Sequence, residues 1–246
     1  MNFSHSRVNI GDKCRIMDLR DLDAASLVFA IDQATGSEPA VRDAMALAAL
    51  AHRHQTRPGR NGAPDQYITH PLRNTLRNIR FECSDFDVLA ATALHDTVED
   101  KADELVQLLG GDASAPARDE ALRHLDVHFG TTVAGIVDAV SNPQKPANLS
   151  PAEKNEHYAA HVTATIADPG VFLVKVSDFL DNAGSLGDLQ DADRRNRLRA
   201  RYVPLVPVFL RAASAHGDAL DLGHIGYEQL VDDLQTLASD LEPAAG

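Results

Sequence analysis

Apolar positions recur at the three- and four-residue spacing of helices along most of the chain, and the strict alternation of a strand is scarce. The pattern predicts a helix over residues 22–34, ended by Gly36. Ser37-Glu38-Pro39 opens a second helix, running through 40–54 with Ala and Leu on most sides and hence buried. Thr69-His70-Pro71 opens a third. With Pro71 at its first position, His70 falls at or just before the cap and projects outward. Ser84, with Asp87 three residues on, starts a fourth, which carries the apolar run 88–94. Further helices are predicted over 101–109, 120–129 and 131–140, the last two broken at Gly130. Ser150-Pro151-Ala152-Glu153 is a capping box that starts a helix to about residue 167. After the break at Asp168-Pro169-Gly170, helices follow over 171–186, 191–213 and 226–241. Residues 1–20 read as a loose arm, 58–65 and 142–149 as loops, and 110–117 as a flexible insertion. The segment 172–176 has strand propensity, but its polar residues are spaced for a helix. The fold class expected is all-α, a helical bundle without internal repeats.

Length and charge narrow the function. A chain of 246 residues fits one main domain, 37–215, with an N-terminal arm and short helix (1–36) and a C-terminal helix packed on the domain (216–246). The formal charge of −13 opposes nucleic acid or an anionic membrane as a general partner, and the absence of Trp opposes a base-stacking surface. A small anionic substrate remains compatible, because a metal and a few cations reverse the field locally. No apolar run is long enough to span a membrane, and residues 1–12 lack the apolar core of a signal peptide, so a cytoplasmic protein is expected. Cys14 and Cys83 are the only cysteines; neither a disulfide nor a Cys-based zinc site is expected. A homo-oligomer is compatible with all of this.

The chemistry concentrates at His95-Asp96-Thr97-Val98-Glu99-Asp100, after the apolar run 88–94. Ionisable groups at the end of a buried helix are costly unless paired, and a divalent ion would compensate them. If the helix continues, His95 lies over Glu99 and Asp96 over Asp100, so His95 and Asp96 grip an ion while Glu99 and Asp100 face its water or substrate. The competing reading is a helix end with polar residues. Within 171–183, Lys175, Asp178 and Asn182 share one stripe. Either Lys175 and Asp178 form a local ion pair, or Asp178 completes a site with His70, His95 and Asp96. Two imidazoles and two carboxylates suit Mn²⁺, with Zn²⁺ or Fe²⁺ as alternatives. Asn182 would offer its amide to a substrate sugar or phosphate. His52 and His54 read as packing residues. Arg194, Arg195, Arg197, Arg199 and Arg201 read as a solvated face or internal counter-charge.

Three ordered groups of residues carry a resemblance. They are His52-x-x-Gln55-x-Arg57 with Tyr67-Ile68-x-His70-Pro71-Leu72, then 91–100 with its His-Asp and Glu-Asp pairs, then Leu173-Val174-Lys175-Val176-Ser177-Asp178 with Asn182. Phe129-Gly130 and Tyr202-x-Pro204-Leu205 extend the match, which spans roughly residues 40–210. The chain resembles the HD-domain metal-dependent phosphohydrolases, and more narrowly the Rel/Spo hydrolase domain that removes the 3′-pyrophosphate from guanosine alarmones. The resemblance implies an all-α HD-domain bundle in which His70, His95, Asp96 and Asp178 hold one Mn²⁺. It implies Glu99 and Asp100 as the catalytic acid pair, Arg57 against the guanine base and Asn182 at the ribose; in the hydrolysis expected, Lys175 and Arg57 would offset substrate charge. It leaves no room for the family's synthetase and regulatory domains, so a small stand-alone hydrolase is expected. Departures lie at the rim: Pro58 where Lys or Arg is usual, Ser177 where Ala is usual, Asp181 before Asn182, and a longer loop before Tyr67. Two alternatives remain: a phosphohydrolase acting on NADPH or another nucleotide, and a silent nucleotide-binding module.

Overall fold

The computed structural model describes residues 17–60, 63–142 and 149–242. Cys14, most of the predicted arm and most of the 142–149 loop lie outside the described residues. The helices are α1 (Ala24–Ala34), α2 (Pro39–Ala51), α3 (Thr69–Arg80), α4 (Phe86–Leu94), α5 (Thr97–Leu109), α6 (Ala117–Phe129) and α7 (Thr131–Val140). They continue with α8 (Pro151–Thr165), α9 (Pro169–Gly184), α10 (Ala192–Tyr202), α11 (Val206–His216) and α12 (His224–Leu241). The all-α expectation holds, with one addition: β1 (Thr56–Pro58) and β2 (Pro64–Gln66) pair antiparallel within the predicted loop, Arg57 opposite Asp65.

Local chemistry sets most boundaries. Asp23, Asp168 and Asp191 cap α1, α9 and α10 by accepting from the backbone N–H of Ser26, Val171 and Arg194. Both halves of the capping box at Ser150 and Glu153 form. Gly110, at φ 69°, ends α5 in the left-handed conformation that glycine adopts without strain.

Several expectations are corrected. Asp85, not Ser84, caps α4. Residues 191–213 form two helices, split by a 3₁₀ turn at Val203–Leu205. Residues 17–22 are tied down rather than loose: Leu19 is buried in a 3₁₀ turn, and the Arg20 guanidinium pairs with Asp188. The predicted insertion is stitched by Asp112 N–H donating to Glu120 at 2.9 Å. The central stretch is not one helix. It divides at His95-Asp96, which end α4 and begin α5, and Lys101 interrupts α5 with a non-helical φ of −139°.

Helix α9 is the hub. It packs against α3, α4, α7, α8, α10, α11 and α12, and its stretch from Val171 to Ser177 is buried without a break. On its apolar side Phe179 stacks on Phe209 at 4.6 Å, and Phe172 lies against both Phe209 and His216. Toward α3 the interface is polar. Residues 69–79 of α3 are all buried despite including Arg73, Asn74, Arg77 and Asn78. Arg77 donates to Asn74 and to the Ser177 carbonyl, while Asn78 donates to Thr92 of α4 at 3.0 Å. Helix α1 packs on the other side of α3, and α2 packs on α4.

Removing the Phe172 ring at this hub is expected to cost about 3–5 kcal/mol. Phe172→Ala should show it as a lowered urea midpoint. Val127→Ala, at a position 67% exposed, should stay within about 0.5 kcal/mol of the parent.

Candidate metal centre and its surround

Three segments distant in sequence bring their side chains together. The first turn of α3 supplies His70, the α4–α5 junction supplies His95 and Asp96, and α9 supplies Asp178. One donor atom each from His70, His95 and Asp178 lies within 4.8 Å of the others. Asp96 sits beside this group, its Oδ2 3.2 Å from His95 Nε2 and 3.5 Å from His70 Nε2. His70 is not at an outward-facing cap. It occupies the second position of α3 and is 1% exposed, because α9 covers it.

Hydrogen bonding at the far side of each ring fixes what the near side presents. His95 Nδ1 is 2.8 Å from the Thr92 carbonyl, which only accepts, so Nδ1 carries the proton. The buried Nε2 is then left without a hydrogen-bond partner. His70 Nδ1 donates to Asp181 Oδ2 at 2.6 Å, turning its Nε2 toward Asp178 Oδ1 at 3.0 Å. Two ring nitrogens therefore face the Asp96 and Asp178 carboxylates, an arrangement that a bound cation, or a proton on the ring, reconciles. The residues fit a divalent ion on this ground.

Two donors hold the carboxylates without neutralising them. Tyr67 donates its phenol to Asp96 Oδ2 at 2.6 Å, and Asn182 donates its amide to Asp178 Oδ1 at 2.6 Å. Burial would raise both carboxyls, but the imidazoles and these hydrogen bonds outweigh it and hold both well below the usual range. Burial alone would likewise depress His95, yet the charges of Asp96 and Asp178 lift it well above the ordinary imidazole value. Burial and the Asp96 charge raise the Tyr67 phenol, so it stays a donor.

The acid pair lies on the first turn of α5, open to solvent. Glu99 accepts from the Asn142 backbone N–H at 2.8 Å and from its side-chain amide. Partial desolvation raises its carboxyl despite these bonds. Asp100 accepts from Gln55 at 3.0 Å, and Gln55 is held in turn by His52, which stacks on Tyr67. Lys175 is buried and forms no ion pair with Asp178, so the local-pair reading of that stripe is not realised; its charge acts on Glu99 instead. Arg57 reaches across from β1 to Asp181 at 3.2 Å and to the side-chain amide oxygen Oδ1 of Asn182 at 3.3 Å. A cavity of about 400 Å³ opens beside it, lined by Thr56, Arg57, Pro58, Leu189 and Arg194. A larger one of about 790 Å³, between α1 and α2, contains none of these groups.

No protein-family model matches the chain. A guanosine-3′,5′-bis(diphosphate) 3′-pyrophosphohydrolase of Vibrio cholerae is 28% identical over 209 residues, which are 84% of this chain and 26% of that protein. The chain thus spans about a quarter of the length of this relative. The pyrophosphohydrolase MESH1 of Mus musculus is 32% identical over 154 residues, covering 61% of this chain and 72% of its own length. The chain belongs to the guanosine-3′,5′-bis(diphosphate) 3′-pyrophosphohydrolase family. The solved structure of a metazoan ortholog of SpoT shares the fold, with a TM-score of 0.56 at 20% identity over 81% of this chain and 95% of that one. No described helix is long and apolar enough to cross a membrane.

Sequence reasoning missed part of this family member's site. In the linear pattern Asp181 stands out only as a departure, and Tyr67 only as part of a matched stretch. Arg73, which donates to both oxygens of Asp181, was not singled out. A signal was available: Arg73 follows His70 by three residues and Asp181 follows Asp178 by three, so each lies one turn behind a candidate ligand.

If the cluster takes an ion, titration should show one divalent cation bound per chain. At about a hundred times the dissociation constant it should stabilise the fold by roughly 2.7 kcal/mol. Asp178→Ala should abolish both the binding and the rise in melting temperature.

Proposed function

We propose that this protein is a metal-dependent phosphohydrolase that removes the 3′-pyrophosphate from guanosine alarmones, converting ppGpp or pppGpp to GDP or GTP plus pyrophosphate. The observation that carries the reading is the convergence of the His70 and His95 ring nitrogens on the Asp178 and Asp96 carboxylates, with Glu99 and Asp100 one turn further on. The names of the relatives supply the substrate class.

His70, His95, Asp96 and Asp178 would hold the ion, with Mn²⁺ the choice that best suits two imidazoles and two carboxylates. Once bound, it supplies Lewis-acid stabilisation of phosphoryl charge and acidifies water. The protein supplies the rest. Glu99 and Asp100 stand on the solvent side, placed to take a proton from the attacking water and return one to the leaving 3′-oxygen. Asn142 and Gln55 hold the two carboxylates apart and fix their orientation. Lys175, buried without an ion pair among the described residues, offsets the negative charge of the substrate. Arg57 lines the 400 Å³ cavity, where its guanidinium would meet the base, and Asn182, which accepts from it, would border the ribose.

Incubation with ppGpp and Mn²⁺ should release GDP and pyrophosphate, and a chelator should stop it. Asp100→Asn should keep the bound ion and lose about 10²–10⁴-fold in turnover. Full activity in that variant would refute the acid-pair assignment. Turnover of NADPH but not ppGpp would move the substrate to another nucleotide.

A further inference from the structure

Asp181 is the most heavily engaged carboxylate of the described chain, and nothing in the proposed reaction uses it. It is 2% exposed. Its Oδ2 accepts from His70 Nδ1 at 2.6 Å, from an Arg73 terminal nitrogen at 2.9 Å and from Arg57 at 3.2 Å. Its Oδ1 accepts from Arg73 Nε at 2.7 Å, with Arg77 3.7 Å away. The bidentate arginine fixes the carboxylate plane, and the ring of His70 is fixed by that plane. From this geometry we infer that Asp181 is a positioning residue for the metal centre: it holds the Nδ1–H tautomer of His70 so that Nε2 points at Asp178 as a ligand.

The chemistry is that of a carboxylate–histidine–metal arrangement, in which the outer carboxylate orients the ring and raises the basicity of the coordinating nitrogen. Arg73 gives the carboxylate a permanent counter-charge, so it stays an acceptor and does not take the proton from Nδ1. His95 has only a backbone carbonyl behind it, a weaker acceptor than a carboxylate. The two imidazoles are thus unequal, and His70 is the stronger donor. Arg57 shares the same oxygen, which places the arginine proposed to meet the base on the same anchor as the ligand.

The competing explanation is that Asp181 merely neutralises the buried Arg73. The two separate when the arginine is removed as well. This inference rests on the metal reading, so Mn²⁺ affinity of the wild type is measured first. Failure of the wild type to bind overturns both. With a binding wild type, Asp181→Asn should weaken Mn²⁺ by at least about tenfold, and Arg73→Met/Asp181→Leu by up to about a hundredfold, with helix content retained. An apolar pair replacing a buried ion pair usually preserves the fold, so the double variant remains a test if the single variant fails to fold. Wild-type Mn²⁺ affinity in the double variant would overturn the positioning role. In the Zn²⁺-loaded wild type, ¹⁵N imidazole spectra should show His70 protonated at Nδ1 and bare at Nε2; the opposite tautomer would overturn the role without any variant.

Discussion

The architecture depends on a polar seam between two buried helices. Helices α3 and α9 meet through Arg73, Arg77, Asn78, Ser177 and Asp181 rather than through apolar side chains alone. Such a seam is a poor source of net stability, since desolvating an arginine and a carboxylate consumes most of their mutual attraction. What it provides is registry. Moving α9 by one turn against α3 would strand at least one buried charge, a loss of several kcal/mol. His70 and Asp178 lie along this seam, so the same constraint that aligns the helices sets the spacing of the two side chains. The apolar contacts on the other side of α9, Phe172 and Phe179 against Phe209, supply the burial that holds the seam closed.

Charge is arranged in layers around the site. Innermost are the lone pairs of His70 and His95 with the carboxylates of Asp96 and Asp178. Around them lie neutral groups that orient without neutralising: the Tyr67 phenol and the Asn182 amide as donors, and the Thr92 carbonyl as acceptor behind His95. Beyond these come the cations Arg57, Arg73, Arg77 and Lys175, all on the α3, α9 or hairpin side. A protein of formal charge −13 can in this way offer a local field suited to an anionic substrate. The acid pair stands open to solvent, on a helix of its own. The break at His95-Asp96 makes this separation, because a continuous helix would have stacked the acids directly over His95 and Asp96.

Much of this was legible in the linear pattern. Three-and-four periodicity and the capping residues define the helices, because caps and hydrophobic faces are local properties: the capping box at Ser150 and the break at Gly130 stand where composition places them, and α9 starts at Pro169, two residues before the expected 171. The candidate residues His95, Asp96 and Asp178 are also recognisable as ionisable groups beside or within apolar runs, which need a partner wherever they fold, and His70 by its place next to Pro71 at a helix start. Tertiary contact alone decided the partners. Whether Lys175 pairs with Asp178 or stands apart, whether His70 faces water or α9, and where the central stretch changes helix depend on what another segment brings up against each residue. Asp181 is the clearest case. In sequence it is one acid among 36, and it holds the His70 ring only because α3 brings His70 and Arg73, 108 positions away, within 2.6 and 2.7 Å of it, contacts that no local periodicity encodes.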